Sequence, residues 1–176
     1  MAFSYNFIIF LIVSLSSISF MLTSVKGDLI DDVCSKALKK KICLSTLRAN
    51  PRSKGANLEG LATISIDLSQ KNAKSVRDLV NTLLKQAKDP KLKSRYVSCL
   101  ENYNDAINNL GELPGYLKSK DYGSLNIHAS AASDDPSTCD DNFSGPPAEP
   151  PQLKAASDNL QGIIGIILVI SNLLKG

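Results

Sequence analysis

Apolar side chains recur in steps of three and four along most of this chain, and that spacing constrains the fold more than any other feature. Near the end, Leu153, Ala156, Leu160, Ile163, Ile167, Ile170 and Leu174 follow it without a break. An α-helix turns once in about 3.6 residues, so such a stripe lies on one side of a helix and must be buried. A second run, Leu92, Tyr96, Cys99, Tyr103, Ala106, Leu110, Leu113 and Leu117, repeats the alternation and carries Cys99 toward the core. A third, Leu61, Ile64, Leu68, Val76, Leu79 and Leu83, follows the turn signal Asn50-Pro51-Arg52-Ser53-Lys54-Gly55 and stops at Asp89-Pro90. The fourth, Leu125, Ala129, Ala132, Cys139 and Phe143, contains Pro136, which is expected to break or kink its helix before the cysteine. Pro114 is expected to kink the second helix, because a proline removes a backbone donor and crowds the carbonyl of Leu110, at about 3 kcal/mol.

Nothing after the first residues alternates like a strand. The segment Ser-Gly-Pro-Pro-Ala-Glu-Pro-Pro at 144–151 cannot continue a helix and forms a stiff connection between the last two. The fold expected is all-α: an antiparallel four-helix bundle over 53–176, preceded by a helical hairpin over 28–52 that contains the Cys-x8-Cys pair.

From Phe7 to Val25 the chain is apolar and uncharged, and its first basic residue is Lys26. Residues 1–27 read as a secretory signal peptide, with Val25 and Gly27 at the cleavage positions and the mature chain starting at Asp28. The uninterrupted apolar run near the other end, Gly162 to Ile170, is too short to span a bilayer, so no membrane contact is expected once the leader is gone. Secretion makes the even cysteine count a disulfide framework: Cys34, Cys43, Cys99 and Cys139 allow three pairings. The short spacing makes a local Cys34 to Cys43 bridge the simplest of them, which leaves Cys99 to join Cys139.

The chemistry of catalysis is missing. Nucleophilic catalysis of the usual kinds needs a histidine, and His128 is the single one, on an alanine-rich helix with no Gly-x-Ser-x-Gly turn anywhere. Asp31-Asp32, Asp134-Asp135 and Asp140-Asp141 are adjacent pairs and make no spaced ligand set, so neither metal nor cofactor is expected. A formal charge of +3 with no basic stripe excludes a nucleic-acid partner. The reading is therefore a non-enzymatic protein, a monomer by expectation, whose outer helix surfaces meet another protein. The sequon Asn142-Phe143-Ser144 adjoins Asp141, and it is expected to be poorly used or to carry a glycan that would crowd the surface beside it.

A series of segments carries a family resemblance across nearly the whole mature chain. They are the leader followed by Cys-x8-Cys, Ser65-Ile66-Asp67, Asp89-Pro90-Lys91-Leu92-Lys93, Arg95-Tyr96, Cys99 with Glu101-Asn102-Tyr103, and Asp121-Tyr122 with Ser124-Leu125-Asn126-Ile127. Ala129-Ser130-Ala131-Ala132, Thr138-Cys139, Phe143, Gly145-Pro146-Pro147 and the ending Ile167 to Leu174 complete the set. In this order they resemble the plant invertase and pectin methylesterase inhibitors, and among them the fruit-type pectin methylesterase inhibitors. The resemblance implies a four-helix bundle with an N-terminal hairpin, bridges Cys34–Cys43 and Cys99–Cys139, secretion to the cell wall, and one-to-one binding across the pectin cleft of pectin methylesterase. It also implies partner contacts at Glu101, Asp105, Asn108, Asn126, Thr138 and Asp141, with Asn108 standing where an aspartate is commoner. Glu101, Asp105 and Asn108 share one side of a helix by their spacing. The alternative within the family is inhibition of acid invertase, whose inhibitors resemble one another at a Pro-Lys-Phe turn. Here that turn reads Pro90-Lys91-Leu92.

Overall fold

Among the described residues, four of the six helices begin where the sequence supplies a side-chain acceptor for otherwise orphaned backbone N–H groups. A computed structural model describes residues 28–176; the expected leader, residues 1–27, lies outside the described residues. Asp28 caps α1 (Leu29–Ser35), which a turn joins to α2 (Lys40–Ala49). A 3-10 turn (Pro51–Ser53) leads to α3 (Leu58–Gln86), whose first turn is closed by the Gly60 N–H donating to Asn57 at 2.8 Å. Asp89 accepts from the Lys91 and Leu92 amides at 2.7 and 3.1 Å and starts α4 (Pro90–Lys118), with Pro90 placed where a missing N–H costs nothing. Asp121 does the same for α5 (Tyr122–Asp141), and α6 (Pro151–Lys175) closes the chain. Among the described residues there is no strand.

The four long helices form a closed ring in which α3 and α5 each pack against both α4 and α6. Most of the seams predicted for α4 and α6 are buried: Tyr96, Cys99, Tyr103, Ala106, Leu110, Leu113 and Leu117 face inward, as do Leu153, Leu160, Ile163, Ile167 and Ile170, while Leu92, Ala156 and Leu174 are half-buried. On α3 the expected positions Leu61, Ile64, Val76 and Leu83 are buried. Leu68 and Leu79 are only half-buried, and the inward positions include Ser65, Ser69, Ala73 and Val80. Two small serines are buried because α3 lies close to its neighbours there. The Ser65 hydroxyl is satisfied within its own helix, donating to the Leu61 carbonyl at 2.8 Å.

Neither proline ends its helix. Of the break or kink expected before Cys139, the break does not occur: α5 runs through Pro136, which is itself buried. At Pro114 the cause of tolerance is visible: the Leu110 carbonyl, which a proline four residues on cannot bond, accepts instead from Gln70 Nε2 of α3 at 2.9 Å.

Both disulfides are present, Cys34–Cys43 with Cα atoms 5.5 Å apart and Cys99–Cys139 with Cα atoms 4.7 Å apart. The first closes the α1–α2 hairpin, which packs mainly on α6. α6 is long and apolar enough, by length and composition, to cross a membrane, which the run Gly162 to Ile170 alone did not suggest. Half of that stretch is buried within the bundle and beneath the hairpin. Hairpin and bundle approach closely at Gly162, where a Cβ would lie 2.7 Å from Ile42 Cγ2, and Lys39 Nζ reaches Asp158 at 2.6 Å. Gly162→Val is therefore expected to lower stability by about 1–3 kcal/mol through overpacking. Urea unfolding checks it, and a variant as stable as the parent would refute the close-approach account.

Candidate functional site

Beside the apolar stripe of α4 runs a polar one at the same spacing, Ser98, Asn102, Asp105, Asn109, Glu112 and Tyr116. α5 answers with His128, Ala131, Asp135, Thr138 and Asn142. The two stripes meet along the outer side of the α4–α5 pair. Asn142 Nδ2 donates to Ser98 Oγ at 3.2 Å, His128 Nδ1 lies 3.1 Å from Asn109 Oδ1, and the Tyr116 hydroxyl lies 3.1 Å from His128 Nε2. The Tyr116 and His128 rings stack with centroids 4.9 Å apart. A carbonyl oxygen facing Nδ1 makes that nitrogen the donor in the Asn109 contact. His128, the single histidine, is a half-buried link between two helices.

Carboxyl groups crowd this face. Glu101, Asp105 and Glu112 stand on α4, and Asp134, Asp135 and Asp141 on α5. No ion pair among the described residues reaches any of them. α5 contains no Lys or Arg, and α4 has none between Arg95 and Lys118. Burial first, and then the neighbouring Asp105 charge, push the Asp135 carboxyl up to about 6. Because the folded value lies above the ordinary 3.8, this group favours the folded chain in acid, and that contribution fades as pH rises from 3.8 to about 6. A face of unpaired negative charge, in a chain that is positive overall, is built to receive positive charge from elsewhere.

Of the expected contact residues, Glu101, Asp105 and Asn108 are exposed on α4, and Thr138 and Asp141 are exposed on α5. The antiparallel register set by Ser98 to Asn142 and Cys99 to Cys139 puts Glu101 level with Thr138. Asn126 lies on the other flank of α5, where its amide donates to Ser171 Oγ at 2.7 Å and faces Asn172 Oδ1 at 3.3 Å on α6. Its side chain fastens α5 to α6, so Asn126→Ala is expected to cost about 1 kcal/mol of stability. Thermal unfolding checks this; an unchanged midpoint would show the bond to be idle.

Asn109 and Tyr116 were not singled out from the sequence, and Asp135 was named there only as half of an adjacent acidic pair. The usable signal was there, as a second set of positions in steps of three and four made of polar residues. Polar stripes on a helix ordinarily face water, and only the packing of α4 on α5 turned these two toward each other.

Comparison with known proteins bears on what such a face serves. A family described as "Plant invertase/pectin methylesterase inhibitor" matches residues 28–170. The chain belongs to the plant invertase/pectin methylesterase inhibitor family. A pectinesterase inhibitor of Actinidia deliciosa is 48% identical to it over 87% of this chain and 84% of the relative. Pectinesterase inhibitor 2 of Arabidopsis thaliana is 37% identical over 81% of this chain and 82% of its own length. A crystal structure of a mutant form of an Arabidopsis pectin methylesterase inhibitor superposes with a TM-score of 0.75 at 32% identity, covering 82% of this chain and 95% of that one. Membership of this inhibitor family accords with a helical scaffold whose polar interest lies on its outside. Among the described residues no group of three or more His, Cys, Asp and Glu side chains is placed to hold a metal ion.

Proposed function

We propose that this protein inhibits pectin methylesterase by laying its acidic α4–α5 face, one to one, over the enzyme's pectin-binding cleft. The observation that carries the reading is the set of unpaired carboxyls, Glu101, Asp105, Asp134, Asp135 and Asp141, held in fixed register by the Cys99–Cys139 bridge. Names of the relatives support the choice of enzyme. Glu101, Asp105, Asn108, Thr138 and Asp141 make the contacts, while Asn126 holds the supporting helix in place. Occlusion is sufficient for inhibition, since substrate cannot reach a covered groove. Residues 1–27 are removed on the way to the cell wall, leaving 28–176 as the inhibitor domain.

Inhibition of acid invertase is the second reading. The turn on which it depends is engaged within this chain: Lys91 Nζ donates to the Pro146 carbonyl at 2.8 Å, and Leu92 is half-buried against the core. Titration of the secreted protein against a plant pectin methylesterase and an acid invertase in parallel separates the two. Loss of demethylation at equimolar inhibitor is expected; blocked sucrose cleavage with an untouched esterase would overturn the proposal.

A further inference from the structure

The proline-rich connection between α5 and α6, residues 144–150, contains one acid, Glu149. The connection is held from below by α4: Lys91 Nζ donates to Pro146 O, and the Arg95 guanidinium donates to Pro147 O while lying over the Phe143 ring, 5.3 Å from its centroid. Glu149 turns inward, where its carboxyl meets that of Asp140 in the last turn of α5. Glu149 Oε1 and Asp140 Oδ1 are both buried, and neither has an N–H or O–H donor from any other residue. The second Asp140 oxygen is satisfied by Lys154 Nζ at 3.0 Å and Gln161 Nε2 at 3.1 Å.

Charge balance around the pair is short by one. Asp140, Glu149 and Asp158 are three carboxyls, and the cations beside them are Lys154, which serves Asp140 and Asp158, and Lys39, which serves Asp158. From α4 come only Tyr96 and Tyr103, whose hydroxyls burial keeps protonated; that of Tyr103 lies beside Ser157 without a well-aligned hydrogen bond. Two buried carboxyl oxygens with no donor between them repel unless one of them holds a proton, and a protonated one supplies the missing donor.

We propose that Glu149 keeps a proton and donates it to Asp140, and that this proton latches the proline-rich connection onto the end of the bundle. Burial, followed by the Asp140 charge, pushes Glu149 up from 4.5 to about 7. Because that folded value is raised, the stability the latch contributes is fully present below 4.5 and is lost as pH rises through about 7. The latch is closed in acid and released above neutrality, whether or not the protein has a partner.

Amide exchange on the isolated secreted protein tests this, with rates corrected for the intrinsic effect of pH on exchange. In the wild type the amides of Gly145, Ala148 and Glu149 are expected to exchange on the order of tenfold faster at pH 8 than at pH 5.5. Glu149→Gln donates to Asp140 without titrating and is expected to abolish the difference. Corrected protection that is equal at both pH values in the wild type, or a pH dependence that survives in Glu149→Gln, would overturn the proposal. Carbon NMR of the wild-type Glu149 carboxyl gives a second reading that needs no variant. A midpoint near 7 supports the proton on Glu149, and one below 5 refutes it.

Discussion

Replacing Cys99 and Cys139 together with alanine is expected to lower the free energy of unfolding by about 4 kcal/mol. The bridge closes a loop with a sequence separation of 40, against 9 for Cys34–Cys43, whose loss is expected to cost about 2.7 kcal/mol on the same chain-entropy argument. Both sulfurs of the longer bridge are fully buried, so the alanines also leave a cavity between α4 and α5. The bridge sets the register at which the two polar stripes meet. Its removal should therefore weaken inhibition beyond what the unfolded fraction explains. Urea unfolding of the two double variants side by side measures the ranking, and a smaller loss for Cys99/Cys139 than for Cys34/Cys43 would contradict it.

Asp105→Arg is expected to raise the inhibition constant against pectin methylesterase about a hundredfold, because it places a like charge where the partner is proposed to present a positive one. Asp105 is exposed and makes no ion pair, so folding does not depend on it. An arginine there relieves the repulsion that helps push Asp135 upward and offers that carboxyl a partner. Stability should hold or rise slightly while inhibition falls, which separates binding from folding. Asp78→Arg on α3 makes the same change in net charge away from this face and serves as the control. If both reversals weaken inhibition equally, the effect is one of overall charge and the α4–α5 face is not the docking surface.

Much of the fold was legible because burial and helix geometry share one period. The stripes of α4 and α6 could be read apart from their ends and Ala156, as leucines and isoleucines at that spacing have no stable place except a core. The rest of the α3 seam was not legible because serine and alanine carry no hydrophobic signal. Ser65 and Ser69 are inside only because neighbouring helices come close enough to bury them. Pro114 shows a related limit: a proline's local cost is readable, but the compensating donor comes from Gln70, separated by 40 positions from the carbonyl it satisfies.

The candidate site divides along the same line. A single histidine with no Gly-x-Ser-x-Gly turn argued in the sequence against nucleophilic catalysis, and the two acidic pairs on α5 were plain in the letters. That Asp135 sits next to Asp105, that His128 bridges Asn109 and Tyr116, and that Glu149 folds back on Asp140 are matters of which helix lies against which. Periodicity within a helix is a local property and survives in one dimension. Pairing between helices is settled by the whole bundle at once, through core volume, the two bridges and the direction in which a stiff proline segment returns the chain.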